Sequence, residues 1–231
     1  VMVLSQQKGS RLRGTVNYES VTGKSAYFER VGAVTMVQAT SRHDDTPQID
    51  TPHSRRKVDL ATFRWADLID NADKVRMLID PQSPYAMLAA FAAGRQMDTT
   101  IVAAAIGSAY SGETGATTVA LPSAQKIASA SAGLTVAKLI AAKEILDTGD
   151  VDPDQPRTIA LRPAAVTDLL SSTQVTSADY NTVRALVSGQ LDTYMGFKFV
   201  MTNLAPSGKA VLWTKNAMAL AVGSEPAVRI S

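Results

Sequence analysis

Between Pro84 and Gly107 the sequence repeats apolar residues at helical spacing: Tyr85, Leu88, Phe91, Ala92, Met97, Ile101 and Ala105. With Ser83 as a capping hydroxyl and Pro84 in the first turn, this spacing predicts a helix over residues 83–107. About 25 residues rising 1.5 Å each make a rod of about 37 Å, long for a globular domain. Its alanine-rich faces allow neighbouring backbone to come close, so it reads as a packing spine along which the fold is arranged. Arg95 and Asp98, three apart, are expected to pair along an exposed face.

Ahead of the spine the chain is polar and extended. Residues 6–14 are weakly periodic and read as an arm lying on another surface. Residues 30–38 (RVGAVTMVQ) alternate and are rich in Val, and residues 58–68 (VDLATFRWADL) offer Leu60, Phe63 and Trp65, so two strands are expected. The intervening residues 39–57 carry Arg42, Asp44, Asp45, Arg55, Arg56 and Lys57 with little apolar material. A loop of that length is uncommon inside a compact domain. It is expected to project as a long hairpin, and an isolated hairpin is only marginally stable, so a neighbouring subunit is the natural support.

Around and beyond the spine the pattern is α+β. A short helix is expected over 71–80, ended by Pro81. Residues 110–131, rich in Gly, Ser, Thr and Ala, read as a loop with a brief strand near 119–121 that separates two parts. A second helix follows over 134–147, closing at Gly149, then a strand over 157–161 (RTIAL) and helices over 163–170 and 177–187. Strands near 197–202 and 210–214 come next, and 217–222 and 227–230 read as extended.

Composition narrows the chemistry. The 231 residues are 45 % hydrophobic and 19 % charged, which is a folded composition. The absence of cysteine excludes disulfides, thiolate metal sites and cysteine nucleophiles. No apolar run approaches the ~20 residues that span a bilayer, and no leader pattern is recognised, so a soluble protein made in the cytoplasm is expected. The net charge is +2, but it is unevenly spread: ten Lys or Arg face six Asp or Glu up to Arg64, and thirteen face fifteen after it. A basic arm suits an acidic partner surface.

Individual motifs are weak. Thr22, Gly23, Lys24 and Ser25 resemble the end of a phosphate loop, yet Tyr18 stands where its first glycine belongs. His43, Asp44, Asp45, Asp50 and His53 are clustered ligand types on a proline-broken loop, which gives no preorganised metal site. Both histidines lie in that loop and no Gly-x-Ser-x-Gly elbow exists, which disfavours serine hydrolysis. The acids Asp67, Asp70, Asp150, Asp152 and Asp154 lie where helix starts and turns want acids. Phe63 and Trp65 around Arg64 read as a strand face for packing before a base-stacking patch. No catalytic, cofactor or metal residue is expected.

Several strings carry a family resemblance: QQKGSRLR (6–13), WADLID (65–70), DPQSPY (80–85), GRQMD (94–98), IGSA (106–109), DYN (179–181), LVSG (186–189) and GFKF (196–199). Together with the arm, hairpin, spine and terminal α/β unit, they make the chain similar to the major capsid proteins of tailed double-stranded DNA bacteriophages, with the Hong Kong 97-type fold. The resemblance implies an N-terminal arm over 1–29, an extended loop over 30–67 and a peripheral domain over 68–131 with its spine. It further implies an axial domain over 132–221 and a strand over 222–231 returning toward the peripheral domain.

By the same resemblance the protein is a structural virion component, assembled in the host cytoplasm into pentamers and hexamers of an icosahedral head. Its partners are copies of itself, with a scaffold, a portal, a maturation protease and in some relatives a decoration protein, and non-specific contact with packaged DNA; no membrane is involved. Inter-subunit contacts are expected from Arg11 and Arg13 of the arm and from Arg42, Asp44, Asp45, Arg55, Arg56, Lys57, Phe63 and Trp65 of the loop. Two rival readings are an encapsulin-like compartment enclosing protein cargo and, in another class, a soluble α/β nucleotide-binding enzyme.

Overall fold

In the computed structural model residues 6–38, 40–42, 45–68, 82–171 and 193–227 are described. The elements run β1 (Asn17–Ser20), β2 (Ser25–Val31), β3 (His53–Asp59), α1 (Gln82–Ile106), β4 (Ala109–Ser111), β5 (Thr117–Val119) and α2 (Val136–Thr148). They continue with β6 (Arg157–Leu161), α3 (Pro163–Ser171), β7 (Thr193–Tyr194), β8 (Phe197–Met201), β9 (Val211–Thr214) and β10 (Ala219–Val222). The spine is present as α1, within one residue of the expected bounds. Thr135 caps α2 by accepting a hydrogen bond from the Lys138 backbone N–H, and Gly149 closes it.

The C-terminal half is built on a four-stranded mixed sheet of order β7-β8-β6-β9. Its central strand β6 runs parallel to β8 and antiparallel to β9. All five residues of β6 are buried, as expected for a strand covered on both faces. One core lies between this sheet and the helices α2 and α3: Leu139, Ile159, Leu161, Val166, Leu169, Tyr194 and Phe197. At the foot of β6 the buried Arg157 guanidinium donates to Asp147 at 2.7 Å and to the Val151 carbonyl at 3.2 Å, tying the end of α2 to the sheet.

A second core joins three distant parts of the chain. It contains Leu12 and Val16 from the N-terminal segment, Ile101 and Val102 from α1, and Ala160, Val200 and Trp213 from the sheet. The expectation that residues 6–14 form an arm lying elsewhere is therefore corrected: this segment packs on its own chain. Leu12 is fully buried, and a short 3-10 turn over Arg13–Thr15 leads into β1. Strand β1 pairs in parallel with β10, from Asn17 opposite Ala219 to Ser20 opposite Val222.

The projecting hairpin is real, but its strands are displaced from their expected positions. Strands β2 and β3 pair antiparallel from Ser25 opposite Asp59 to Val31 opposite His53, and β4 and β5 extend the sheet on the β3 side. The ladder stops at Pro52, which has no N–H to donate; the last bond runs from the Gly32 N–H to the Pro52 carbonyl at 2.8 Å. The Val-rich residues 32–38 thus stay unpaired. At the other end β2 gives out at Ser25; the Leu60 N–H still donates to the Lys24 carbonyl at 2.9 Å, but residues 61–68 form no strand and are not the expected continuation. The helices expected over 71–80 and 177–187, and the extended residues 228–230, lie outside the described residues.

Candidate functional site

Two surfaces concentrate the sequence's unusual residues. The first is the β2-β3 ribbon with its connector. Cross-strand pairs place Ser25, Tyr27 and Glu29 on one face with Asp59, Lys57 and Arg55. On that face Arg55 donates to Glu29 at 2.5 Å and lies 5.6 Å from the Tyr27 ring centroid. The Lys57 ammonium is 3.1 Å from Asp59, which also accepts from the Ser25 hydroxyl at 2.5 Å. The Arg55 guanidinium holds the Glu29 carboxyl below its ordinary value, and the Ser25 hydroxyl, with Lys57 second, does the same for Asp59.

Arg55, Arg56 and Lys57 therefore belong to the body of strand β3 and not to a loop tip. Arg55 and Lys57 find ion-pair partners within the chain, and Arg56 is a ladder residue opposite Phe28 and Ser111. Gly115 supports Lys57, since a Cβ there would lie 2.4 Å from the Lys57 Cδ.

The connector over 32–52 differs. Its described residues are exposed, and they include Val34, Met36, Val37 and Ile49 beside Arg42 and Asp45. Met36 is 100 % exposed. Asp44 and His43 lie outside the described residues. Phe63 and Trp65 are exposed at 61 % and 55 % on a segment without strand structure, which corrects the expected shared strand face. Trp65 stacks on Tyr85 at the start of α1, with centroids 6.3 Å apart. Exposed apolar residues gathered on one segment are a feature of interaction surfaces.

The second surface is a clasp between the N-terminal segment and α1. Asp98 is completely buried. Its carboxylate accepts from the Gln7 side-chain amide and the Ser10 hydroxyl, both at 2.5 Å, and from the backbone N–H groups of Arg11 at 3.0 Å and Leu12 at 3.1 Å. Arg95 donates to the Gln6 side chain at 2.7 Å. Gly94 lets the segment come close: a Cβ there would lie 2.7 Å from the Ser10 nitrogen. The expected exposed pairing of Arg95 with Asp98 is thus wrong, because both side chains turn to the N-terminal segment.

Sequence reasoning missed this role of Asp98. Its signal was a glycine and an acid four apart inside a long alanine-rich helix, where each is unfavourable without a reason.

Arg11 and Arg13 also make contacts within the chain. Arg11 donates to the Met201 carbonyl at 2.7 Å, and Arg13 donates to Glu225 at 2.5 Å while lying over the Tyr18 ring. Tyr18 donates to the same carboxylate at 2.8 Å. These bonds, that from Arg13 first, hold the Glu225 carboxyl below its ordinary value. The Tyr18 phenol is raised by its bond to that carboxylate.

The rival chemistries find no support in this geometry. Gly23 forms a turn at φ 110°, and the Lys24, Ser25 stretch runs into strand β2, not into a helix that could cradle phosphate. Among the described residues no group of three or more acidic, His or Cys side chains is placed to hold a metal ion, and no helix is long and apolar enough to cross a membrane.

Comparison with known proteins agrees with the geometry. A family model described as phage capsid protein matches residues 1–231. Among solved structures, the capsid of cyanophage P-SCSP1u superposes with a TM-score of 0.67 at 16 % identity, covering 96 % of this chain and 77 % of that one. The capsid of Ralstonia phage GP4 gives 0.66 at 11 % identity, with 99 % and 82 % covered. A structure from Mycobacterium phage Che8 gives 0.63 at 14 % identity, with 97 % and 81 % covered. Compared with curated protein sequences, the chain has no match.

Proposed function

Because this chain belongs to the phage capsid protein family, we propose that it closes an icosahedral head around double-stranded DNA by assembling into pentamers and hexamers. It is a structural major capsid protein, and its mixed helix-and-sheet fold is like that of phage capsids. The finer reading is the Hong Kong 97-type fold, with an arm over 1–29, an extended loop over 30–67, a peripheral domain over 68–131, an axial domain over 132–221 and a returning strand over 222–231. No catalytic role is part of this reading, and scaffold, portal and DNA are its expected partners inside the virion.

The observation that carries it is the connector over 32–52, whose Val34, Met36, Val37 and Ile49 are exposed on a projecting ribbon. Burial of such side chains contributes roughly 1.5 to 3 kcal/mol each, which the isolated subunit forgoes. A second copy supplies the missing cover. A heterologous contact of this kind, repeated about an axis, closes a ring. Arg42 and Asp45 lie on the connector, Phe63 and Trp65 on the exposed segment that follows β3, and all four join the contact; Arg55 and Lys57 act mainly by stiffening the ribbon.

Electron microscopy and sedimentation of the purified protein, with nucleic-acid content measured, test the reading. Closed particles of megadalton mass are expected. A small stable oligomer would favour the enzyme reading, and shells that hold protein cargo in place of DNA when taken from infected cells would favour an encapsulin-like compartment.

A further inference from the structure

The clasp at Asp98 has a use beyond fold stability, and this rests on the capsid reading above. Four donors converge on one buried carboxylate, and all four come from residues 7–12. The same short stretch is fastened on either side: Arg95 holds Gln6, and the Trp213 indole donates to the Thr15 carbonyl at 3.2 Å. Gly94 removes the side chain that would otherwise keep the segment off the helix. Hydrogen bonds to an ionised acceptor are about twice as strong as neutral ones and are directional, so they fix where a chain lies along the helix as well as that it lies there.

We infer that Asp98 is a positioning residue for assembly: it sets the register of residues 6–12 along α1 and thereby fixes the point and direction from which the chain runs on through β1 into the β2-β3 ribbon with its exposed connector. Greasy contacts through Leu12 and Val16 alone would tolerate sliding, because apolar burial is non-directional. The carboxylate does not tolerate it, since a shift of one residue would take both backbone donors and both side-chain donors out of place together. In a lattice of repeated contacts such a shift would misaim every copy.

The test compares the wild-type chain with Asp98→Ala and, from the segment side, with the double variant Gln7→Ala, Ser10→Ala, which leaves α1 untouched. Trypsin cleavage after Lys8, Arg11 and Arg13 reports the clasp, and cleavage after Arg30 and Arg64 serves as the internal control. Losing two hydrogen bonds of ordinary net strength should speed cleavage of the segment on the order of tenfold, with the control sites unchanged. Electron microscopy should then reveal open or irregular shells.

Faster cleavage at all sites alike would mean a merely structural role and overturn the inference. So would closed, regular shells from the double variant with a loosened segment, an outcome that leaves the capsid reading intact. Failure of the wild-type chain itself to form shells would instead count against that reading.

Discussion

Residues 6–16 and the connector over 32–52 share one expectation, that each lies on a surface outside its own core. Folded, they part company. The first is clasped by Asp98 and sends Leu12 and Val16 into a core shared with α1 and the sheet. The second leaves Val34, Met36 and Val37 in solvent. The difference is in the receiver, not in the segment. Gly94, Asp98, Ile101 and Trp213 make a docking strip for the first; beside the connector, Pro52 ends the ladder that would have given the second a place to lie.

This contrast is open to experiment, and the largest effect should come from the exposed side. The double variant Val34→Asp, Met36→Asp should abolish closed shells seen by sedimentation, while thermal unfolding of the subunit moves little, as surface changes fall within about 0.5 kcal/mol. A subunit that unfolds would mean the connector is part of the private core after all. Next in size, Leu12→Ala should cost about 2 to 5 kcal/mol in denaturant unfolding, the range for emptying a buried leucine site. Leu68→Ala, at a residue 96 % exposed, should change subunit stability by less than about 0.5 kcal/mol. Equal losses at the two leucines would mean that Leu12 is not the buried anchor of its segment.

A smaller loss is expected from Trp213→Phe, which keeps an aromatic ring but removes the indole N–H that donates to Thr15. About 1 kcal/mol should be missing at the denaturant midpoint.

The smallest effect is electrostatic. Glu225 and Glu29 are each held below the ordinary 4.5, by Arg13 and Arg55 respectively. A depressed carboxyl stabilises the fold above the unfolded value and loses that contribution as pH falls through the folded one. Stability should therefore decline below pH 4.5, and Glu225→Gln should slightly flatten that decline. Because these groups are exposed, added salt should shrink the difference further. A variant indistinguishable from wild type in low salt at every pH would mean the bond between Arg13 and Glu225 ties nothing down.

Much of the architecture was legible. The spine, α2, β6 and α3 are legible within two residues, because helical spacing, Gly149 as a stop, and the bounded apolar run RTIAL are local signals. The hairpin was legible as an object but not in register. Residues 30–38 satisfy a strand's preferences, yet a ladder needs two partners, and Pro52 and the turn at Gly23 decide where both are available. As sequence, Arg55, Arg56 and Lys57 read as loop charges because charge runs usually are; a ribbon with a solvent face accepts them equally well as cross-strand partners. The clasp is only half legible: Gly94 and Asp98 are unexplained inside the helix, but their partner QQKGSRLR is distant in the chain and nothing local assigns it to them.

The parallel pairing of β1 with β10 bears on timing. Asn17 meets Ala219, and Thr15 meets Trp213 at a separation of 198 residues. Contacts so remote in sequence form late and slowly. On the ribosome, where the front of a chain emerges first, Thr15 and strand β1 must wait unpaired until the stretch around Trp213 and Ala219–Val222 has been synthesised. A half-made polypeptide thus offers its leading segment helix α1 but not the sheet and β10, so only translation past that point completes the seat.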